Sequence, residues 1–240
     1  MTKSGIPPVT FKRIATAMGF SPMAKANLAE VHRIAQRCDA QMYVFHIGAW
    51  NDRCETTYTG FLSELGISKS DVELVCKEGD PKEELRLLCQ ENSIDLLALG
   101  ALVRENMFKV FTVSIARDVC RKAKVSLLLL THSRVEGMPC ERIVVNGLDH
   151  PKTLDTIRTS LWLGSKLGSK ELFVVDELSE KSLIKPDDDK SQLNSERKRK
   201  QIEREQHSRI EDLLQNCQVP VNLDIKEQHV FGKRGYTIAH

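Results

Sequence analysis

The chain has 240 residues, of which 41% are hydrophobic and 28% charged, and its net charge is +2. That length allows one large domain or two of ordinary size, and the apolar fraction supports a packed core. So small a charge argues against nucleic acid as a partner, no apolar run is long enough to span a bilayer, and the opening MTKSGIPPVTFKR lacks the apolar centre of a signal peptide.

In chain order, Pro7 and Pro8 keep residues 1–10 out of regular structure. Residues 11–17 read as a first strand. Ser21 is placed as the N-cap of a helix with Pro22 in its first turn. Ala26, Leu28, Val31, Ile34 and Ala35 give that helix an apolar stripe, to about Arg37. Residues 42–47 form a second strand, 51–65 a helix and 72–76 a third strand. Gly79, Asp80 and Pro81 lead into a helix over 82–91. Residues 94–99 are a short apolar run closed by Gly100, the pattern of a buried parallel strand. Residues 113–124 have helical spacing, with Val113, Ala116 and Cys120 on one face, and 125–130 are another buried strand. Five strands alternating with helices predict an α/β fold built on a doubly wound parallel sheet.

Residues 131–141 have the composition of a linker. The chain then begins again. RIATAMGFSPMAKANL from Arg13 and RIVVNGLDHPKTLDTI from Arg142 align without a gap, Pro22 on Pro151. The second helix runs to Leu167 and ends at Gly168, a favourable C-cap residue. Residues 171–176 repeat the second strand, and Gly232 with Ile238 repeats Gly79 with Leu85. The expectation is a tandem duplication, with domains at residues 1–134 and 135–240. The second copy differs by a polar insertion over 179–191 and a charged helix over 192–217. Nothing in it matches Leu88–Leu130, so it is read as C-terminally incomplete.

KRIATAMGFSP, from Lys12, resembles the first strand and turn of the universal stress protein family, which commonly reads ILVPTDFS or ILVAVDGS there. EGDPKEELRLLCQENSIDLLALG, from Glu78, is similar to that family's G-x-P helix and the strand entering its nucleotide loop. The resemblance covers nearly all of residues 11–131 and the front of a second domain from 142 to 240. It implies a five-stranded sheet in the order 3-2-1-4-5 and a cytoplasmic role in stress response or signalling.

Nucleotide-binding members of the family resemble one another in a loop of glycine, two residues, glycine, nine residues, glycine, then Ser or Thr. Here the spacing is kept and the chemistry is not. Val103 stands at the second glycine after Gly100, Val113 stands at the third, and Ser114 follows. Glycine permits positive φ and a close approach of phosphate to backbone N–H groups, and a β-branched valine disfavours both. The first-strand Asp that holds the ribose in ATP-binding members is Gly19 here and Leu148 in the second copy, with Asp149 one residue late. Gly19, Gly100, Val103, Val113 and Ser114 thus outline a degenerate nucleotide loop. Gly100 and Ser114 read either as a residual phosphate site or as a strand exit and a capping serine, and the second is preferred.

The remaining signals are weaker. Asp149 and His150 are a polar pair at a strand exit or an Asx or N-cap turn before Pro151, and the turn is preferred. Seven scattered cysteines without a C-x-x-C pair read as reduced thiols. The seven histidines lack metal-ligand spacing, and the basic run Arg197–Lys200 is flanked by acids, as on a solvated helix face. No catalytic arrangement stands out. The expectation is a non-enzymatic protein acting through protein contacts without a cofactor. The alternative is a nucleotide-binding module or weak ATPase that takes ATP. The strand from Val125 to Leu130 is apolar and should lie at a sheet edge. In the family this fifth strand typically meets another, which implies a homodimer through these residues.

Overall fold

The computed structural model describes residues 10–100, 125–179 and 189–232. The chain divides into two units, Thr10–Met138 and Pro139–His240, apart from the first nine residues.

The first unit is built on five strands: β1 (Arg13–Ala17), β2 (Gln41–Ile47), β3 (Val72–Lys77), β4 (Leu96–Gly100) and β5 (Ser126–Leu130). They form one parallel sheet in the order β3-β2-β1-β4-β5, as the alternation and the resemblance implied. β1 is central, and Ile14, Ala15 and Thr16 are all buried because both of its faces are covered. Asp95 fastens its start: Oδ2 accepts from the backbone N–H groups of Lys12 (2.7 Å) and Arg13 (2.8 Å).

Three α-helices of this unit are described: α1 (Ala24–Cys38), α2 (Asp52–Leu65) and α3 (Pro81–Glu91). Side chains cap the start of two of them. Asn51 Oδ1 accepts from Cys54 N at 3.0 Å. Asp80 accepts from Lys82 N and Glu83 N, with Pro81 at the first helical position. The expectation for α1 is corrected. Ser21 and Pro22 form a turn before the helix, in which the Ser21 carbonyl accepts from Ala24 N. Met23 takes the cap position without a side-chain hydrogen bond. α3 buries Leu85, Leu88 and Cys89 against Tyr43, Phe45, Leu97 and Leu99.

The segment 131–138 is less free than its composition suggested. Arg33 on α1 donates to the carbonyls of Val135 (2.7 Å) and Arg134 (2.8 Å) and pairs with Glu30. A charged residue more than a hundred positions upstream thus straps the polar stretch to the helix surface.

The second unit carries β6 (Arg142–Asn146), β7 (Glu171–Ser179) and β8 (Asp224–Gly232), a parallel three-stranded sheet in the order β6-β7-β8. Its helices are α4 (Thr153–Leu167) and α5 (Asp189–Gln215). Val145, Ile157, Leu161, Leu172, Val174, Ile210 and Leu223 form its core. α1 and α4 each span 15 residues, each opens without a side-chain cap and each closes on a left-handed residue, Asp39 (φ 52°) and Gly168 (φ 75°). Gly168 adopts that conformation without the Cβ penalty that Asp39 bears. The strand pairs start alike too, Arg13 beside Gln41 and Arg142 beside Glu171.

Candidate functional site

In the order β3-β2-β1-β4-β5 the chain turns one way from β1 to β2 and the other way into β4. The crevice outside the carboxyl ends of β1 and β4 is the topological switch point, where open α/β sheets bind ligands. Two candidate residues lie there. Gly19 follows β1 and Gly100 ends β4, on strands paired through Ile14 with Leu96 and Thr16 with Ala98. Val103, Val113 and Ser114 lie outside the described residues.

The two glycines differ in kind. A Cβ at Gly19 would meet no atom of the described residues within 4 Å, so among them the position has room for a side chain. The missing acid is therefore a matter of sequence and not of space. A Cβ at Gly100 would fall inside contact distance of the Asn27 side-chain amide on α1. Gly100 lets this helix approach the strand end, and Asn27 occupies the space that its missing side chain leaves. No positive φ is required of it.

Beside the glycines stands a group of rings that the sequence reading did not assemble. His46, at the end of β2, lies 5.5 Å from Phe20 and 5.1 Å from Trp50 by ring centroids, and Trp50 lies 5.9 Å from Tyr58. His46 is 8% exposed and Phe20 38%. His46 Nδ1 lies 3.0 Å from the Met18 carbonyl, which can only accept, so Nδ1 carries a proton. Met18 N donates to Phe45 O at 2.8 Å, so the exit of β1 is held from both sides. Trp50 Nε1 donates to Glu55 at 3.1 Å. Burial, with the nearby Glu55 charge, pushes the Tyr58 phenol up to about 12, so it stays a neutral donor. One signal was available in the sequence: aromatic residues make up 5% of the chain, and Phe20 and Trp50 both fall just after a strand.

The second unit holds the corresponding carbonyl differently. Arg209 on α5 donates through Nη2 to Gly147 O (2.5 Å) and to Asp176 Oδ2 (3.1 Å) at the sixth position of β7, where β2 has His46. The side chain of Asp176 is 4% exposed. Asp149 is exposed, and the turn before α4 is made by its neighbour. His150 Nδ1 accepts from Lys152 N at 3.1 Å and His150 O accepts from Thr153 N. Burial raises Cys89 to about 12 and also pushes up the thiols of Cys76 and Cys217, which disfavours the reactive thiolate. Among the described residues no group of three or more His, Cys, Asp or Glu is arranged to hold a metal ion, and no helix is long and apolar enough to cross a membrane.

Residues 55–131 match the model of the Universal stress protein family. The first unit thus carries a match to the universal stress protein family. No curated protein matches the chain in sequence. Among solved structures, it is similar to a functionally unknown protein from Pseudomonas aeruginosa PAO1 (TM-score 0.58, 14% identity, 90% of this chain and 74% of that one). It is also similar to a putative universal stress protein from Pseudomonas aeruginosa UCBPP-PA14 (TM-score 0.53, 13% identity, 91% of this chain and 74% of that one). A universal stress protein in complex with cAMP aligns with 52% of this chain and 99% of its own, at 17% identity and a TM-score of 0.43. At these identities the likeness is one of fold, and the universal stress fold is the five-stranded parallel sheet described above.

Proposed function

We propose that this universal stress-type protein acts in cytoplasmic stress response or signalling through protein contacts, with a nucleotide site in the first unit that has lost its chemistry. The observation that carries the reading is the exit of β1. Met18, Gly19 and Phe20 supply no acid for a ribose, and Asn27 fills the space against Gly100. Val103 and Val113 add side chains where a phosphate loop needs glycine. The second unit is taken as a tandem copy of the first, which its matching helix lengths and caps support.

The alternative, a nucleotide-binding module or weak ATPase, rests on the space at Gly19 and the glycine at the end of β4. Mass spectrometry of the heat-denatured protein separates the two. The expected result is no stoichiometric AMP, ADP or ATP, together with no micromolar ATP binding by calorimetry. Stoichiometric nucleotide would overturn the first reading. Combining Gly19→Asp with Val103→Gly and Val113→Gly is expected to restore part of the affinity.

Protein contact is assigned first to a second copy of the chain. β5 is the outer strand of its sheet, its leucines are half-buried or exposed, and Leu129 is 42% exposed. A two-fold contact between like strands closes both edges. Light scattering is expected to give a dimer at tens of micromolar, and Leu129→Lys, at a position open enough to leave the fold intact, a monomer. A monomeric wild-type chain at that concentration would exclude the contact.

A further inference from the structure

His207 on α5 has a carboxylate at each ring nitrogen. Its Nδ1 lies 2.5 Å from Glu227 Oε2 on β8, and its Nε2 lies 3.4 Å from Glu211 Oε1, one turn along the helix. A neutral imidazole has a single N–H and no charge to offer either carboxylate, whereas the imidazolium donates to Glu227 and attracts Glu211 as an ion pair. The hydrogen bond and charge of Glu227, then the charge of Glu211, strengthen the hold of His207 on its proton. The other oxygen of Glu227 lies 3.0 Å from His229 Nε2. That approach is out of line for a hydrogen bond, since Glu227 Oε1 is buried without a hydrogen-bond partner, and so is the other ring nitrogen, His229 Nδ1. One carboxylate therefore stands between two imidazoles.

The other charges around this group are engaged elsewhere. On α5, Glu203 pairs with Arg199, and Arg209 turns to Asp176 on β7. On β8, Lys226 pairs with Glu171 and Asp224. The exposed Arg204 lies one turn before His207. His207 also stands at a boundary in the helix. Ile210, three residues on, is fully buried in the core, while Glu196–Lys200 are all exposed.

We propose that His207 is a proton-operated clasp that fastens α5 to β8, closed with the imidazolium between Glu227 and Glu211 and open when the ring is neutral. The sign follows from linkage. Folding raises the proton affinity of His207, so the clasp's contribution is fully present below the ordinary histidine value of 6.5. It is lost as pH rises through the higher folded value. Above that point Glu211 and Glu227 face each other across a neutral ring, and the turn of α5 that ends at the core loosens. Acidification fastens the charged helix and alkalinity frees it.

The test uses the full chain as wild type, His207→Gln and Glu227→Gln. NMR of the imidazole resonances follows the titration. Hydrogen exchange, corrected for its intrinsic pH dependence, follows the amides of residues 204–211 and 227 at about pH 6 and about pH 8. In the wild type, His207 is expected to titrate above 6.5 and these amides to lose protection at the higher pH. Glu227→Gln should lower the midpoint. His207→Gln, which donates to one carboxylate but does not titrate, should show equal protection at both pH values. A His207 midpoint at or below 6.5, equal protection in the wild type, or the same loss in His207→Gln would each overturn the proposal.

Discussion

Replacing Phe45 with alanine is expected to lower the stability of the first unit by about 4 kcal/mol, the middle of the range for removing a buried phenylalanine. Phe45 is fully buried in β2, level with Ala17 on β1 and Val75 on β3. Its ring packs 6.1 Å from Tyr43 and faces the leucines of α3. Parallel strands hold its backbone on both sides, which limits how far the site can collapse. The loss should also reach the candidate site, since Phe45 O holds Met18 N at the exit of β1 and His46 follows directly. Trp50 lies in the first unit and Trp162 in the second. A Trp162→Phe background therefore reports the first unit alone by fluorescence. The urea midpoint should fall well below that of the background protein, and an unchanged midpoint would show that Phe45 is not part of the packed core.

Arg209→Ala is expected to destabilise the second unit by about 3 kcal/mol, the cost of removing one partner of a largely buried charge pair. The guanidinium reaches both Asp176 Oδ2 and the Gly147 carbonyl. Alanine removes a charge-assisted hydrogen bond from a carboxylate that is 4% exposed and releases the exit of β6 as well. Arg209→Lys keeps the charge but not the planar fork, and should lie between the two. Urea unfolding followed by Trp162 fluorescence in a Trp50→Phe background gives the comparison. If Arg209→Ala matches the wild type within about 0.5 kcal/mol, the pair is a surface contact of little consequence.

Much of this fold was legible because its signals are local. Short apolar runs, one of them ended by Gly100, marked strands, Gly79, Asp80 and Pro81 marked the approach to a helix, and Gly168 marked a helix end. The physics acts within a few residues: a side-chain oxygen finds an N–H two or three positions on, and a glycine accepts a left-handed turn. The Ser21 expectation failed for an equally local reason. Pro22 does not carry the helix, a turn closes between Ser21 and Ala24 first, and the helix begins beyond both. At the candidate site, Gly19 was found through the family resemblance and Gly100 through the apolar run that it ends. The reason for Gly100 was not legible, because it resides in the side chain of Asn27, on a different element.

By itself the sequence determined the succession of the five strands and of the three α-helices described in the first unit, through apolar periodicity and breakers, and it recorded the absence of an acid at the end of β1. Only the tertiary structure decided which distant side chains answer one another. Arg33 meets Val135, Arg209 meets Asp176 and Gly147, His207 meets Glu227, and Phe20, His46, Trp50 and Tyr58 share one corner. The physical reason is that a hydrogen bond or ring contact acts over a few ångströms of space, whatever the separation along the chain. Parallel strands joined through helices bring their ends together from positions tens of residues apart. Periodicity records which face of an element is buried, and it carries no record of what lies across from that face.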